Sequence, residues 1–232
     1  MLLKWDEDGS RYYETGTKKV VLYNTKDTTD NTKSYTNGVA WNGVSAITDS
    51  PSGADETKIY ADDIKYASMR ATEDYGGTIE AYQSPKEFNI CDGSANYGGG
   101  LSVNMQKRHS FGLSYVTQVG NDLDDAAGHK IHLVYNATVS PSSKSYATIN
   151  ESPEAITLSW EFTTNPISFA EDGKYASLKP TSSLVIDTTK LSEAVVKAGV
   201  LTKLEEALYG TANTEPYLPT PDAVVAMFDV TE

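Results

Sequence analysis

The 232-residue sequence predicts a mainly β protein: an antiparallel β-sandwich with one flanking α-helix near its C-terminal end. Three observations carry that reading. Ile156, Leu158, Trp160 and Phe162 alternate strictly with Thr157, Ser159, Glu161 and Thr163, the pattern of a strand with one face on a core and one in water. Helical spacing, by contrast, appears only late in the chain. Tyrosine dominates the aromatics, with 15 Tyr against 5 Phe and 3 Trp. That bias suits half-buried strand faces and protein contacts, because the ring packs while the hydroxyl stays hydrated.

Taken in order, Lys18–Tyr23 alternates poorly but is β-branched and apolar, and it reads as the first strand. Residues 24–36 are polar, of low complexity and almost without core-forming side chains. They cannot bury enough apolar surface to offset the entropy of ordering, so a long flexible loop is expected there. Asn37-Gly38 and Asn42-Gly43 mark turns on either side of Trp41. Residues 57–69 read as a strand. Phe111, Leu113, Tyr115 and Thr117 share a strand face, and Ile131, Leu133, Tyr135, Ala137 and Val139 share another. Residues 182–187 add a further strand.

Leu191, Ala194, Ala198, Leu201, Leu204 and Leu208 then recur at helical spacing, predicting a helix over about 188–209. Gly199 interrupts it, and a possible capping box at Thr202 and Glu205 leaves one helix or two open. Gly210 supplies the stop. A final helical turn is expected after Thr220-Pro221-Asp222. No internal repeat and no linker divides the chain, so residues 1–232 are expected to form one domain, with an extended mobile stretch over about 24–57. The expected core holds Leu113, Leu133, Ile156, Leu158, Trp160 and Phe162.

Net charge is −13, from 32 acidic and 19 basic side chains. Such a surface repels phosphate backbones and anionic membranes, which argues against groove-reading and membrane-binding functions. Cys91 is the only cysteine, so no intramolecular disulfide can form. The first eight residues hold no apolar stretch of signal-peptide length, and no segment approaches bilayer-spanning length. Synthesis and folding in the cytoplasm are therefore expected.

Motifs that would carry chemistry are weak. His129 and His132 are three apart in a predicted strand and point to opposite faces, so they cannot share a metal. Asn121-Asp122-Leu123-Asp124-Asp125 lacks the calcium-loop frame and reads as a solvated hairpin loop. Gly98-Gly99-Gly100 lacks the Lys-Ser/Thr of a phosphate loop and reads as a flexible connection. Cys91 has no local nucleophile signature. No Gly-x-Ser-x-Gly elbow exists, and no spacing singles out a carboxylate pair. No cofactor and no metal site is expected, and the chain reads as a non-enzyme.

Several segments resemble the major tail proteins of long, non-contractile-tailed bacteriophages. They include Gly38-Val-Ala-Trp-Asn-Gly through Lys58-Ile-Tyr-Ala-Asp-Asp-Ile-Lys-Tyr66, and Gly77-Thr-Ile-Glu-Ala-Tyr-Gln-Ser-Pro-Lys-Glu-Phe88 with Cys91-Asp-Gly-Ser94. Arg108-His-Ser-Phe-Gly-Leu-Ser-Tyr115 with Gly120-Asn-Asp122, His129-Lys-Ile-His-Leu-Val-Tyr135 and Tyr146-Ala-Thr-Ile-Asn150 are similar too. Ser152-Pro-Glu-Ala-Ile-Thr-Leu-Ser-Trp-Glu-Phe162 and Leu208-Tyr-Gly-Thr211 with Leu218-Pro-Thr-Pro-Asp222 complete the set, and the resemblance as a whole runs from about residue 11 to residue 228. None of these segments is catalytic; the resemblance lies in their number and order.

The resemblance implies a tail tube subunit that lends strands to a multi-subunit inner barrel. Six copies form a ring, and stacked rings make a hollow conduit through which DNA passes without specific binding. Tape measure, tail tip and tail terminator proteins are the implied partners, and the virion tail is the implied location. An acidic lumen would keep DNA from adhering to the wall. The acids on candidate barrel strands are Asp62, Asp63 and Glu80. The candidate contact segment between subunits or rings holds Val39, Trp41, Val44 and Ile47, apolar residues that a free monomer would expose at some cost. The rival readings are a receptor- or carbohydrate-binding β-sandwich, a sandwich-fold glycosidase or esterase, and a head decoration protein.

Overall fold

A computed structural model describes residues 3–5, 7–27, 33–149, 155–170, 175 and 177–229. Its largest unit is one antiparallel sheet. The first hairpin pairs β1 (Tyr13–Asp27) with β2 (Lys33–Ala40), and β3 (Val44–Asp49) follows. Two short strands, β4 (Ser52–Gly53) and β7 (Glu73–Asp74), pair at the base of a hairpin made by β5 (Glu56–Ala61) and β6 (Ile64–Arg70). After β8 (Gly76–Ala81) come a single helical turn, α1 (Asn89–Asp92), and a small hairpin of β9 (Ala95–Gly98) and β10 (Leu101–Val103). The long strands β11 (Phe111–Gly120), β12 (Gly128–Val139) and β13 (Leu158–Thr164) precede β14 (Ser183–Asp187) and three helices, α2 (Glu193–Lys197), α3 (Val200–Tyr209) and α4 (Pro221–Phe228).

The strand order is β2-β1-β11-β12-β13-β8-β3, and β14 also pairs with β12. Strand β12 joins two layers. Its residues Lys130–Val134 pair with β14, whereas Ala137–Val139 pair with β13. Asn136 sits at the change of partner with φ +50, a left-handed conformation that Asn tolerates, and the register with β11 slips by one residue there. The bulge flips the side chains. Ile131, Leu133 and Tyr135 join one core while Ala137 and Val139 join the other, so these five residues do not share a face as their spacing predicts.

The first core lies between the two layers. Trp41, Phe88 and Trp160 meet at centroid distances of 4.4, 5.5 and 5.3 Å, and Phe111 adds an edge contact 5.6 Å from Phe88. The second core lies on the outer side of β1, β11 and β12, under α3 and α4. Tyrosines fasten the C-terminal segment there: the Tyr23 hydroxyl donates to the Leu208 carbonyl at 2.7 Å, and that of Tyr135 to the Pro219 carbonyl at 2.9 Å. Strand β1 thus has apolar residues on both faces, with Leu22 in the first core and Val21 and Tyr23 in the second. This is why Lys18–Tyr23 alternates poorly in sequence.

Several expectations need correction. Residues 24–27 and 33–36 are not a loop but continue the β1–β2 ladder, with Asn24 opposite Thr36, Thr25 opposite Tyr35 and Lys26 opposite Ser34. Residues 28–32 lie outside those described. Backbone pairing and one fully seated ring, Tyr35, order this polar hairpin, whereas composition counts only apolar side chains. Residues 57–69 are two strands rather than one. Asp62 and Asp63, at φ +50 and +60, form the tight turn between them.

Among the expected core residues, Leu113, Leu133, Trp160 and Phe162 are buried and Leu158 is half-buried. Ile156 is 41% exposed, because β13 pairs with β8 only from Leu158 onward. The late helix divides at Gly199, φ +63, into α2 and α3. The capping box at Thr202 does not form, since Thr202 lies inside α3, two residues after its first residue.

Trp160 is 1% exposed at the centre of the aromatic cluster. Trp160→Ala should therefore cost about 3–5 kcal/mol in denaturant unfolding. Glu161→Ala, on the opposite face of the same strand, should stay within about 0.5 kcal/mol. A Trp160→Ala protein as stable as the parent would remove Trp160 from the core.

Candidate functional site

The β5–β6 hairpin stands out as an arm. Register places Thr57 opposite Met69, Ile59 opposite Ala67 and Ala61 opposite Ile64, so these six side chains share one face. Glu56, Lys58, Tyr60, Lys65 and Ser68 take the other, where Lys65 and Ser68 both donate to the Glu56 carboxylate. Those two hydrogen bonds hold the Glu56 carboxyl below its ordinary range. The ribbon is therefore amphipathic, yet its apolar face has no cover: Ile59 is 39%, Ile64 62% and Met69 56% exposed. A two-stranded ribbon is marginal in water by itself, so the uncovered apolar face of the arm is a candidate contact surface.

A second projection is the β9–β10 hairpin. Its Gly98-Gly99-Gly100 turn has positive φ throughout, and Tyr97, Leu101 and, just beyond it, Met105 are exposed. The acidic stretch 121–125 forms the β11–β12 turn. There Asp122 accepts hydrogen bonds from the Gly9 and Arg11 amides and clamps the N-terminal segment to the sheet. These amides, the Gly9 bond foremost, hold its carboxyl below the ordinary range.

The outer face of β3, β8 and β13 is the third surface. Register aligns Ala46, Glu80 and Ser159 in one row and Thr48, Thr78 and Glu161 in the next. The helices pack on the other half of the sheet, so this face is polar, acidic and uncovered by them. Glu80 thus lies on a sheet surface, whereas Asp62 and Asp63 sit at the tip of the arm in a turn. Glu161 joins Glu80, and the alternation in 156–163 was the signal that marks it as outward-facing. Val39, Trp41, Val44 and Ile47 do not form an exposed contact segment. Trp41 is buried with its Nε1 donating to the Gln83 carbonyl at 2.8 Å, Val44 and Ile47 pack partly buried against the same core, and Val39 is half-buried in β2.

One polar cluster ties the end of the sandwich together. The Tyr75 and Tyr115 hydroxyls donate to Asp49 Oδ1 at 2.7 and 3.3 Å, and the Tyr115 ring stacks on His132 at 4.5 Å. His132 Nε2 meets Thr117 Oγ1 at 2.9 Å and Glu14 Oε1 at 3.5 Å, and Lys130 donates to Glu14. Burial pushes both phenols up and the His132 imidazole down, against the pull of Glu14 and Asp49. Burial also works against the Glu14 carboxylate, but hydrogen bonds from Lys130 and Thr117 hold it below its usual range.

As chemistry, this arrangement offers little. Among the described residues no three His, Cys, Asp or Glu side chains are placed to hold a metal ion. Cys91 is buried, and burial pushes its thiol up to about 12, far from a reactive thiolate. An open groove of about 830 Å³ lies between the base of the arm and residues 166, 168 and 179–183. No helix among the described residues is long and apolar enough to cross a membrane. Compared with known families and curated proteins, the chain matches no family model and no curated sequence.

The His132 cluster makes a pH prediction. Its folded value lies below the ordinary 6.5, so the fold favours neutral imidazole. That contribution is complete above about pH 6.5 and is lost as pH falls through the folded value. His129, also lowered by burial, acts with the same sign. His132→Phe keeps a ring against Tyr115 but cannot titrate. Its melting temperature relative to the parent should therefore rise as pH is lowered from about 7.5 to about 5.5. A difference that is constant across this range would remove His132 from the acid response.

Proposed function

We propose that this chain is the non-enzymatic repeating subunit of a viral tail tube, assembling as stacked hexameric rings around a DNA conduit. The observation that carries the reading is the arm, whose apolar face lacks a partner within the subunit. Covering Ile59, Ile64 and Met69, which are 39–62% exposed, in an interface is worth roughly half of the about 1.5–3 kcal/mol that each would gain in passing from full exposure to full burial. Three further features support it. The sandwich keeps its helices on one half of the sheet, which frees the outer face of β3, β8 and β13 to join neighbouring copies as a channel wall. That face carries Glu80 and Glu161, so a ring of copies presents acids to the phosphates that pass. The segments that resemble tail tube proteins include the arm itself, Lys58 to Tyr66.

On this reading Glu80 remains a lumen residue and is joined by Glu161. Asp62 and Asp63, being turn residues at the arm tip, move from the channel wall to the contact between subunits. Tape measure, tip and terminator proteins are partners that the tube would need at its axis and ends. Assembly takes place in the host cytoplasm, and the product belongs to the virion tail.

Purified protein should form rings or tubes in negative-stain images. Ile59→Asp with Ile64→Asp should melt with the parent, since both side chains are exposed in the monomer, yet remain unassembled. Monomer at every concentration for the parent would sink the tube reading. Glu80→Lys with Glu161→Lys should assemble normally but make preformed tubes hold DNA at low salt and release it at high salt. Indifference of those tubes to DNA would take the β3–β8–β13 face off the channel wall.

A further inference from the structure

We infer that the acidic tip of the arm, Asp62–Asp63, docks into the groove at the base of the arm on a second copy of this chain, beside Arg70 and Lys179. This rests on the self-assembly proposed above and names the surface that receives the arm. The groove is walled by Pro166 and Pro180 and carries Arg70, Lys179 and one acid, Glu73, among its described lining residues. At about 830 Å³ it falls within the size range of clefts that take small ligands, and the two side chains of a tight turn are of that size.

Reach decides that the contact is intermolecular. Arg70 pairs with Glu56 at the base of the ribbon, while Asp62 and Asp63 close its far end. Six residues of strand at about 3.3 Å each put the tip roughly 20 Å from its own groove. The ribbon cannot fold back on itself without breaking its ladder, so only another copy can present a tip there.

Charge decides the pairing. Each copy carries −13, so two copies repel unless their interface sets scarce cations against acids. Arg70 and Lys179 form no ion pair among the described residues, and neither do Asp62 and Asp63. In a tight hairpin turn with both central residues at positive φ, the two carboxylates project from the end of the ribbon, and Ile64 follows directly behind them. Tip and groove are different patches of one surface. A contact between them is head-to-tail and generates rings or helical stacks rather than closed pairs.

A charge exchange tests the docking. Asp62→Lys with Asp63→Lys, and separately Arg70→Glu with Lys179→Glu, should each slow tube formation, followed by light scattering, at least about tenfold. Both double variants should melt with the parent, because all four side chains are exposed. The fourfold variant should recover assembly by setting a lysine tip against a glutamate groove, and a one-to-one mixture of the two double variants should recover it by alternating that contact with the parental one. Parent tubes with unimpaired double variants, or double variants that neither the exchange nor the mixture restores, would overturn the docking and leave the tube reading standing. A parent protein that never assembles would overturn both.

Discussion

The burial of β1, β11 and β12 on both faces is the constraint on which the other features depend. A strand with water on one side can pair with anything. Here one face carries Leu22, Phe111 and Leu113 into the aromatic core, while the other carries Tyr23, Ile131 and Leu133 beneath the helices. Once both sides of these strands are occupied, α3 and α4 have only one place to lie. The Tyr23 and Tyr135 hydroxyls fix them there through carbonyls of the C-terminal segment. The half of the sheet formed by β3, β8 and β13 is left with a polar outer face. The asymmetry of the molecule, helices on one side and a bare acidic sheet on the other, follows from this one packing decision.

Asn136 makes the double burial possible. A regular β12 would point Ile131, Leu133, Tyr135, Ala137 and Val139 the same way and could serve only one core. The one-residue bulge turns the last two across the sheet and hands the strand from β14 to β13. The Tyr35 hydroxyl accepts from the Asn136 amide at 3.1 Å, so a group freed from the ladder is not left unpaired. The same Tyr35 anchors the polar end of the β1–β2 hairpin, whose outer edge is capped where the Leu218 amide donates to the Tyr35 carbonyl. An edge closed in this way is not offered for adventitious pairing.

The arm inverts these rules. Its two strands belong to no larger sheet, its apolar side is bare, and its tip is acidic on a chain already rich in acids. Each property raises the free energy of the isolated chain, and the contact with another copy proposed above would relieve each of them. The fully buried aromatics, Trp160, Phe88, Phe111 and Tyr135 among them, sit in the cores, whereas Tyr60 and Tyr66 of the arm are 67% and 71% exposed.

Period-two patterning, a late helical repeat, a single cysteine and the net charge are properties of the chain itself, and from them the β-rich class, the core identity of Trp160, Phe162, Leu113 and Leu133, and the helix ends at Gly199 and Gly210 were already legible. Local chemistry decides such features, because alternation and backbone preference act between near neighbours. What the sequence did not disclose depended on partners distant in the chain. Trp41 looked available for contact until Phe88 and Trp160 closed around it. Residues 24–27 and 33–36 looked unstructured because backbone hydrogen bonds across a ladder leave no trace in composition. Asp62 and Asp63 looked like strand residues because either turn or strand accommodates Ala-Asp-Asp-Ile, and only the pairing of Glu56 with Arg70 selects the turn. The apolar side of the arm came into view only with that register, since a one-residue shift in pairing moves every side chain to the opposite face.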